Sequence, residues 1–434
     1  MVSILAFQSP PFNVLMSCND VNLGPQQTAS DTDRVETRSD GNHMPVNRTL
    51  LALFIFCLGL LVGGLFVGRF ESGASIETLV GPWGTLEVEQ LEIAPPDEYI
   101  PADFHTNQRA RWFFEDFSTN QLVDFFAKLS LSEEQRAGLL DLRNWDVQTN
   151  GVIVSPGIET VLGLSSDTRE KIYTALARSP VNLTQQWAFK MRPEEMKVRF
   201  THSGLSTPTL EIVRQLLYER DGILCFSDVD AAMALIPDRE ERRRFFKMMC
   251  RQPTVVMRLL VKEGANVEPL VRYWGRGGRE QEVRPLLESL ARIPGGGTMD
   301  ISHLLTPFAR MRLNVFPLPS DDPFTSRQDC AWTSMNFFND VPDGKFYDFE
   351  ATKSAVRDEY HAIQGEPEFG DIVWFLNSKG DTVHIAVYVA ADYLFTKNGA
   401  DYSKPWLLMD LKDLLAFYST EEQPKIVIYR RNGG

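Results

Sequence analysis

Two residues of this chain bring complementary chemistry in a context that could use it. Asp329-Cys330-Ala331-Trp332 opens a run ending Met335-Asn336-Phe337-Phe338-Asn339, whose pattern predicts a short helix starting at the cysteine. His384 opens the alternating run His384-Ile385-Ala386-Val387-Tyr388-Val389, which predicts a strand. A thiol in the first turn of a helix faces unpaired N–H groups and the positive end of the dipole, which favours the thiolate. The same N–H groups stabilise an oxyanion. A histidine on an adjacent strand can take the thiol proton and later protonate a leaving amine. The chemistry implied is acyl transfer from an amide, with Cys330 as nucleophile and His384 as base.

A third group must orient the imidazole. Tyr393-Leu394-Phe395-Thr396-Lys397-Asn398 predicts a further strand. If Val389 pairs with Tyr393 across a three-residue turn (Ala390, Ala391, Asp392), His384 faces Asn398. Thr396 then lies on the same sheet face and Lys397 points away. Asn398 is the first choice as orienter and Thr396 the second. A one-residue slip would exchange the faces. Gln328 and Asp329 are supporting candidates beside the nucleophile. His, Cys and carboxylates do not group at metal-ligand spacing, and no cofactor is expected.

These residues resemble the NlpC-type family of papain-like cell-wall cysteine peptidases. The family's Asp-Cys at a helix start corresponds to Asp329-Cys330. Its Gly-Asp-apolar-apolar-Phe turn and strand resembles Gly370-Asp371-Ile372-Val373-Trp374-Phe375, and its histidine strand resembles His384-Ile385-Ala386-Val387-Tyr388. The likeness covers about residues 316–434. It implies hydrolysis of peptide bonds in peptidoglycan stems, with Cys330 as nucleophile and His384 as base. Ala331-Trp332 replaces the usual Ser-Gly, and Thr396 or Asn398 stands where the family commonly has a third histidine. A related amidase or acyltransferase on the same fold stays open.

Other elements set the compartment and the frame. Leu50–Val67 is an 18-residue run without charge or polar side chain. At about 1.5 Å per residue it nearly matches the ~30 Å hydrocarbon core, predicting a transmembrane helix over 49–69. Arg34, Arg38 and Arg48 precede it, and after Arg69 the next basic residue is Arg109. That asymmetry predicts a cytoplasmic N-terminus and an extracytoplasmic (periplasmic) body, a cleavable signal peptide being the runner-up. Gly59, Gly63, Gly64 and Gly68 give small-xxx-small spacings, a face on which two copies could pair as a homodimer.

Residues 1–48 read as a disordered tail, 70–105 as a linker, 106–294 as a mostly α-helical region, 295–319 as a second linker and 320–434 as the catalytic domain. The fold class expected is therefore α+β: a membrane helix, a helical middle, and a C-terminal papain-like domain with a helix packed on an antiparallel sheet. Ser132-Glu-Glu-Gln135 is a capping box, and Thr207-Pro208 reads as a helix start.

A net charge of −14 on 434 residues argues against bulk nucleic-acid binding. Within it, residues 239–279 hold eleven Lys/Arg against four Glu, read as a solvated helix face. Of the remaining cysteines, Cys225 and Cys250 read as buried thiols rather than a disulfide. The function expected is a membrane-anchored cysteine hydrolase acting on peptidoglycan stem peptides. The alternative is a non-catalytic envelope binding or scaffold protein with a degenerate papain-like domain.

Overall fold

The first two strands, β1 (Glu77–Gly81) and β2 (Gly84–Ile93), form a hairpin where a linker was expected. The computed structural model describes residues 76–100, 109–220, 222–318, 328–419 and 423–433. After the hairpin comes a region of short helices holding two three-stranded antiparallel sheets. The first contains β3 (Trp112–Glu115), β4 (Trp145–Gln148) and β5 (Gly151–Val154). The second contains β6 (Phe189–Met191), β7 (Tyr218–Arg220) and β8 (Ile223–Phe226). Capping fixes the helix starts. Ser132 and Gln135 bond each other's backbone amides reciprocally, and the helix expected at Thr207 is capped one residue earlier, by Ser206.

The chain then returns to the first hairpin. β9 (Gln252–Val261) pairs with β2 along its length, and β10 (Gly297–Asp300) pairs with β9, closing a four-stranded sheet. The last region is a six-stranded antiparallel sheet built from β11 (Tyr360–Ile363), β12 (Ile372–Leu376), β13 (Thr382–Ala390), β14 (Tyr393–Lys397), β15 (Trp406–Asp410) and β16 (Lys425–Arg431). Its spatial order is β11-β16-β12-β13-β14-β15. The helix Cys330–Met335 packs against β13 and β14.

Period-two alternation sends β13 and β14 side chains to two different cores. Ile385, Val387, Val389 and Phe395 join a large core shared with Trp332, the four-stranded sheet and the helices between Glu268 and Arg310. Ala386, Tyr388 and Leu394 join a small core under the helix Leu411–Tyr418. Residues on both sides of the 295–319 boundary thus share one apolar interior. Burying that much surface is the main force holding the last sheet in place.

Gly370 shows how tight the packing is beside the Gly-Asp turn. Its φ is +88°, and a Cβ there would collide with the Phe338 ring. Only glycine fits. Asp371 is tied to Arg430 (2.6 Å) and to the Glu368 amide (2.8 Å), so it serves the turn.

The structure corrects two expectations. Residues 106–294 are not mostly helical: seven of the strands, β3 to β9, lie there, and the fold is mixed α and β with several antiparallel sheets. Most of these strands hold three or four residues, too few for a period of two to stand out against helical spacing. The expectation of a single-pass membrane protein, cytoplasmic at one end and extracytoplasmic at the other, is also not retained. Among the described residues no helix is long and apolar enough to cross a membrane. Glu280–Ala291, at 12 residues, is the longest α-helix among them. It spans about 18 Å against a ~30 Å hydrocarbon core. The tail over 1–48, the span over 49–69 and the glycine face proposed for pairing lie outside the described residues.

Candidate active site

Cys330 begins its helix because Asp329 caps it: the Asp329 carboxylate accepts the Trp332 amide at 2.9 Å. Burial raises the Asp329 carboxyl above its usual range, partly offset by that amide. Gln328 precedes the cap and is half-buried.

His384 is 1 % exposed and lies opposite Phe375 on β12. Its Nε2 is 2.7 Å from Thr396 Oγ1. The Thr396 hydroxyl donates onward to Asn398 Oδ1 at 3.2 Å, and Asn398 Nδ2 donates to Met409 Sδ at 3.4 Å. Since the one threonine proton goes to Asn398, Thr396 accepts from His384 Nε2–H. That fixes the tautomer and leaves Nδ1 as the basic nitrogen. Nδ1 is buried and has no hydrogen-bond partner among the described residues. Thr396 is therefore the direct orienter, and Asn398 stands behind it.

The hairpin explains this arrangement. β13 and β14 are joined by a two-residue turn, Ala391-Asp392, with φ of +52° and +63°. Ala390 pairs with Tyr393, and an irregularity at Val389 then restores the pairs Tyr388–Leu394 and Val387–Phe395. This turn is one residue shorter than expected, and the bulge makes up the difference. His384 and Thr396 consequently share a face, while Asn398 falls just beyond the strand's end.

Backbone pairing between β13 and β14 ends at Val387–Phe395. The Tyr388 amide donates toward β12, to Asp371 O at 2.8 Å, so the odd-numbered amides of β13 point toward β14. Past the end of the ladder, the Ile385 amide is free to hydrogen-bond the Cys330 sulfur. The thiol therefore sits at the fork where the two strands part, nearest Ile385, while the His384 side chain leaves β13 on the opposite face, against Tyr418.

Tyr418 completes the site, and no local sequence pattern marks it. Its ring stacks on His384 with centroids 4.2 Å apart and planes 17° from parallel. Burial, together with the charges of Cys330 and Asp329, drives its phenol well above the ordinary tyrosine range.

Electrostatically the resting site differs from a thiolate–imidazolium pair. Burial pushes the Cys330 thiol up to about 12, and the neighbouring Asp329 charge adds to the effect. Burial alone holds the His384 imidazole down at about 3. Desolvation outweighs the pull of a helix only six residues long. At neutral pH the pair rests uncharged.

Known proteins offer no guide. No family model matches the chain, nor does any curated protein or solved structure.

The other residues singled out in the sequence have internal tasks. Arg276 pairs with Glu368, Arg258 with Glu89, and Arg279 donates to the Leu304 and Leu305 carbonyls. Much of the basic stretch thus ties elements together. Cys225 and Cys250 are buried free thiols. Among the described residues, no group of three His, Cys, Asp or Glu could hold a metal ion.

Proposed function

We propose that the chain is a cysteine hydrolase of amide bonds, with Cys330 as nucleophile, His384 as base and Thr396 as the residue that orients the imidazole. The observation that carries this reading is the His384 ring: Nε2 is engaged by Thr396, while Nδ1 is buried and has no hydrogen-bond partner among the described residues. A buried ring nitrogen without a partner costs stability, roughly 1–3 kcal/mol, so its retention is expected where it does chemistry.

From a neutral resting pair, the proton leaves sulfur for Nδ1 as sulfur attacks the amide carbon. The imidazolium then gives that proton to the departing amine, leaving a thioester on Cys330. Water, deprotonated by Nδ1, attacks the thioester; the acid is released and the thiol regains its proton. The amides of Ile385, Ala331 and Cys330 favour negative charge on the sulfur.

For the substrate, the resemblance to NlpC-type peptidases supports peptide stems of peptidoglycan. The test is digestion of purified wall by the full chain beside Cys330→Ala. Release of new amino termini by the first and not the second supports the proposal; no release by either overturns the substrate assignment.

One observation favours a second reading, a binding module with a degenerate papain-like domain. Both reactive groups are desolvated enough to oppose charge separation. Alkylation of Cys330 separates the two readings, because a binding module leaves the thiol inert near neutral pH.

A further inference from the structure

The strand fork holds a third ionisable side chain. Lys397 ends β14 and is 0 % exposed. In the register set by Val387–Phe395 it lies across from Ile385, whose amide acts to lower the Cys330 thiol. Alternation turns it away from His384 and Thr396, onto the sheet face where the Cys330 helix packs.

Its ammonium donates to the carbonyls of Gly399 (2.6 Å) and Asp401 (3.3 Å). It also lies 5.4 Å from the centre of the Trp406 ring. Trp406 in turn donates its indole N–H to Thr333 Oγ1, at 3.0 Å, within the Cys330 helix. One charged group therefore joins the end of β14, the following turn and the helix that bears the nucleophile.

A lysine is seldom buried without an anion in contact. Here its hydrogen-bond partners are neutral carbonyls. The charges acting on it are Asp329 and Cys330 on the helix side and Asp401 and Lys404 from the turn after β14. Burial draws its ammonium down to about 7, and Asp401, Asp329 and Cys330 act to retain the proton. A cation held in place by carbonyls gains most when a nearby group becomes negative, as sulfur does on attack.

We propose that Lys397 is a positioning residue of the cysteine site, whose buried ammonium stabilises the Cys330 sulfur as it becomes anionic and holds the nucleophile helix against the fork. The inference rests on the cysteine-hydrolase reading and names the charge that makes that thiol usable.

The test is the rate of iodoacetamide labelling of Cys330 in the folded full chain from pH 6 to 10, read by mass spectrometry of the Cys330 peptide. Lys397→Met should slow labelling at pH 6.5, where the ammonium is charged, by about tenfold and move its midpoint to higher pH, as expected on losing one charge near a thiol. Lys397→Arg, which keeps the charge, should restore most of the rate; a purely structural lysine would not give this ordering. If Lys397→Met does not fold, Asp401→Asn is read instead. Removing the carboxylate that helps keep Lys397 charged should slow labelling several-fold at pH 6.5. Labelling with unchanged rate and midpoint in the readable variant overturns the inference while leaving the hydrolase reading standing. If the wild-type thiol labels only after unfolding, the hydrolase reading falls and this inference with it.

Discussion

The chain buries two polar clusters that invite comparison. In the middle region, Arg169 is fully buried and reaches the Asp228 carboxylate at 3.4 Å, while Tyr173 donates to the same carboxylate at 2.5 Å. Arg169 also donates to the carbonyls of Val161, Leu164 and Gln215, and only its Nε lacks a partner. The opposite charges meet within the cluster, so little is left over to act on anything else. In the last sheet, His384, Thr396 and Asn398 form an uncharged chain that ends at a basic nitrogen with nothing to accept. The first cluster locks its surroundings; the second leaves a reactive atom available. Burial alone does not mark a functional site; the kind of atom left without a partner does.

The strongest way to break this contrast is to remove the open cluster's reactive groups. Cys330→Ala should abolish hydrolysis, and His384→Ala should reduce it by about 10²–10⁴-fold and suppress alkylation of Cys330, measured by turnover and thiol labelling. Equal turnover in the His384 variant would place the base elsewhere. Breaking the closed cluster should instead affect folding. Arg169→Met strands the Asp228 charge and should cost about 3–5 kcal/mol in denaturant unfolding. At temperatures where that variant remains folded, Cys330 should label at the wild-type rate.

Thr396→Val tests the orienter. If the roughly 1–3 kcal/mol of hydrogen bonding lost at Nε2 is felt in the transition state, turnover falls by about tenfold to a hundredfold. The variant should otherwise remain folded.

Acid titration gives a further distinction. The folded His384 takes up a proton only near pH 3, whereas the unfolded residue does so near 6.5. Between those values the unfolded chain binds more protons, so the histidine's contribution to stability is complete above about pH 6.5 and declines on acidification toward 3. The slope approaches about 1.4 kcal/mol per pH unit. His384→Gln should flatten that part of the pH–stability curve. The smallest effect is expected from Tyr418→Phe, which keeps the ring on the imidazole and should change turnover less than threefold, whereas Tyr418→Ala should expose His384 and raise its titration point, read by NMR.

Much of the site could be read from residue order, and particular residues show where that reading stopped. Asp329 ahead of Cys330 is a capping residue at a helix start, and the alternation from His384 to Val389 marks a strand; both signals are local. The choice between Thr396 and Asn398 was not local. Both lie on one face in the expected register, and only the end of β14 at Lys397 shows that Thr396 meets the ring directly. Tyr418 arrives from a helix beyond β15 and carries no signal in its own neighbourhood. The pairing of β2 with β9 joins Thr85 to Leu260, so residues resembling a linker gained their partners only from tertiary structure.

Val389 carries a consequence of its own. It is the extra residue that lets a tight two-residue reversal feed a strand whose side chains must arrive in a given phase at the far end. Deleting it would leave the reversal intact but rotate everything upstream by half a pleat, turning Ile385 toward the Tyr418 ring and swinging the imidazole into the apolar interior. A lost aliphatic residue, remote from the sulfur and touching no substrate, would then disable the centre as completely as losing the nucleophile.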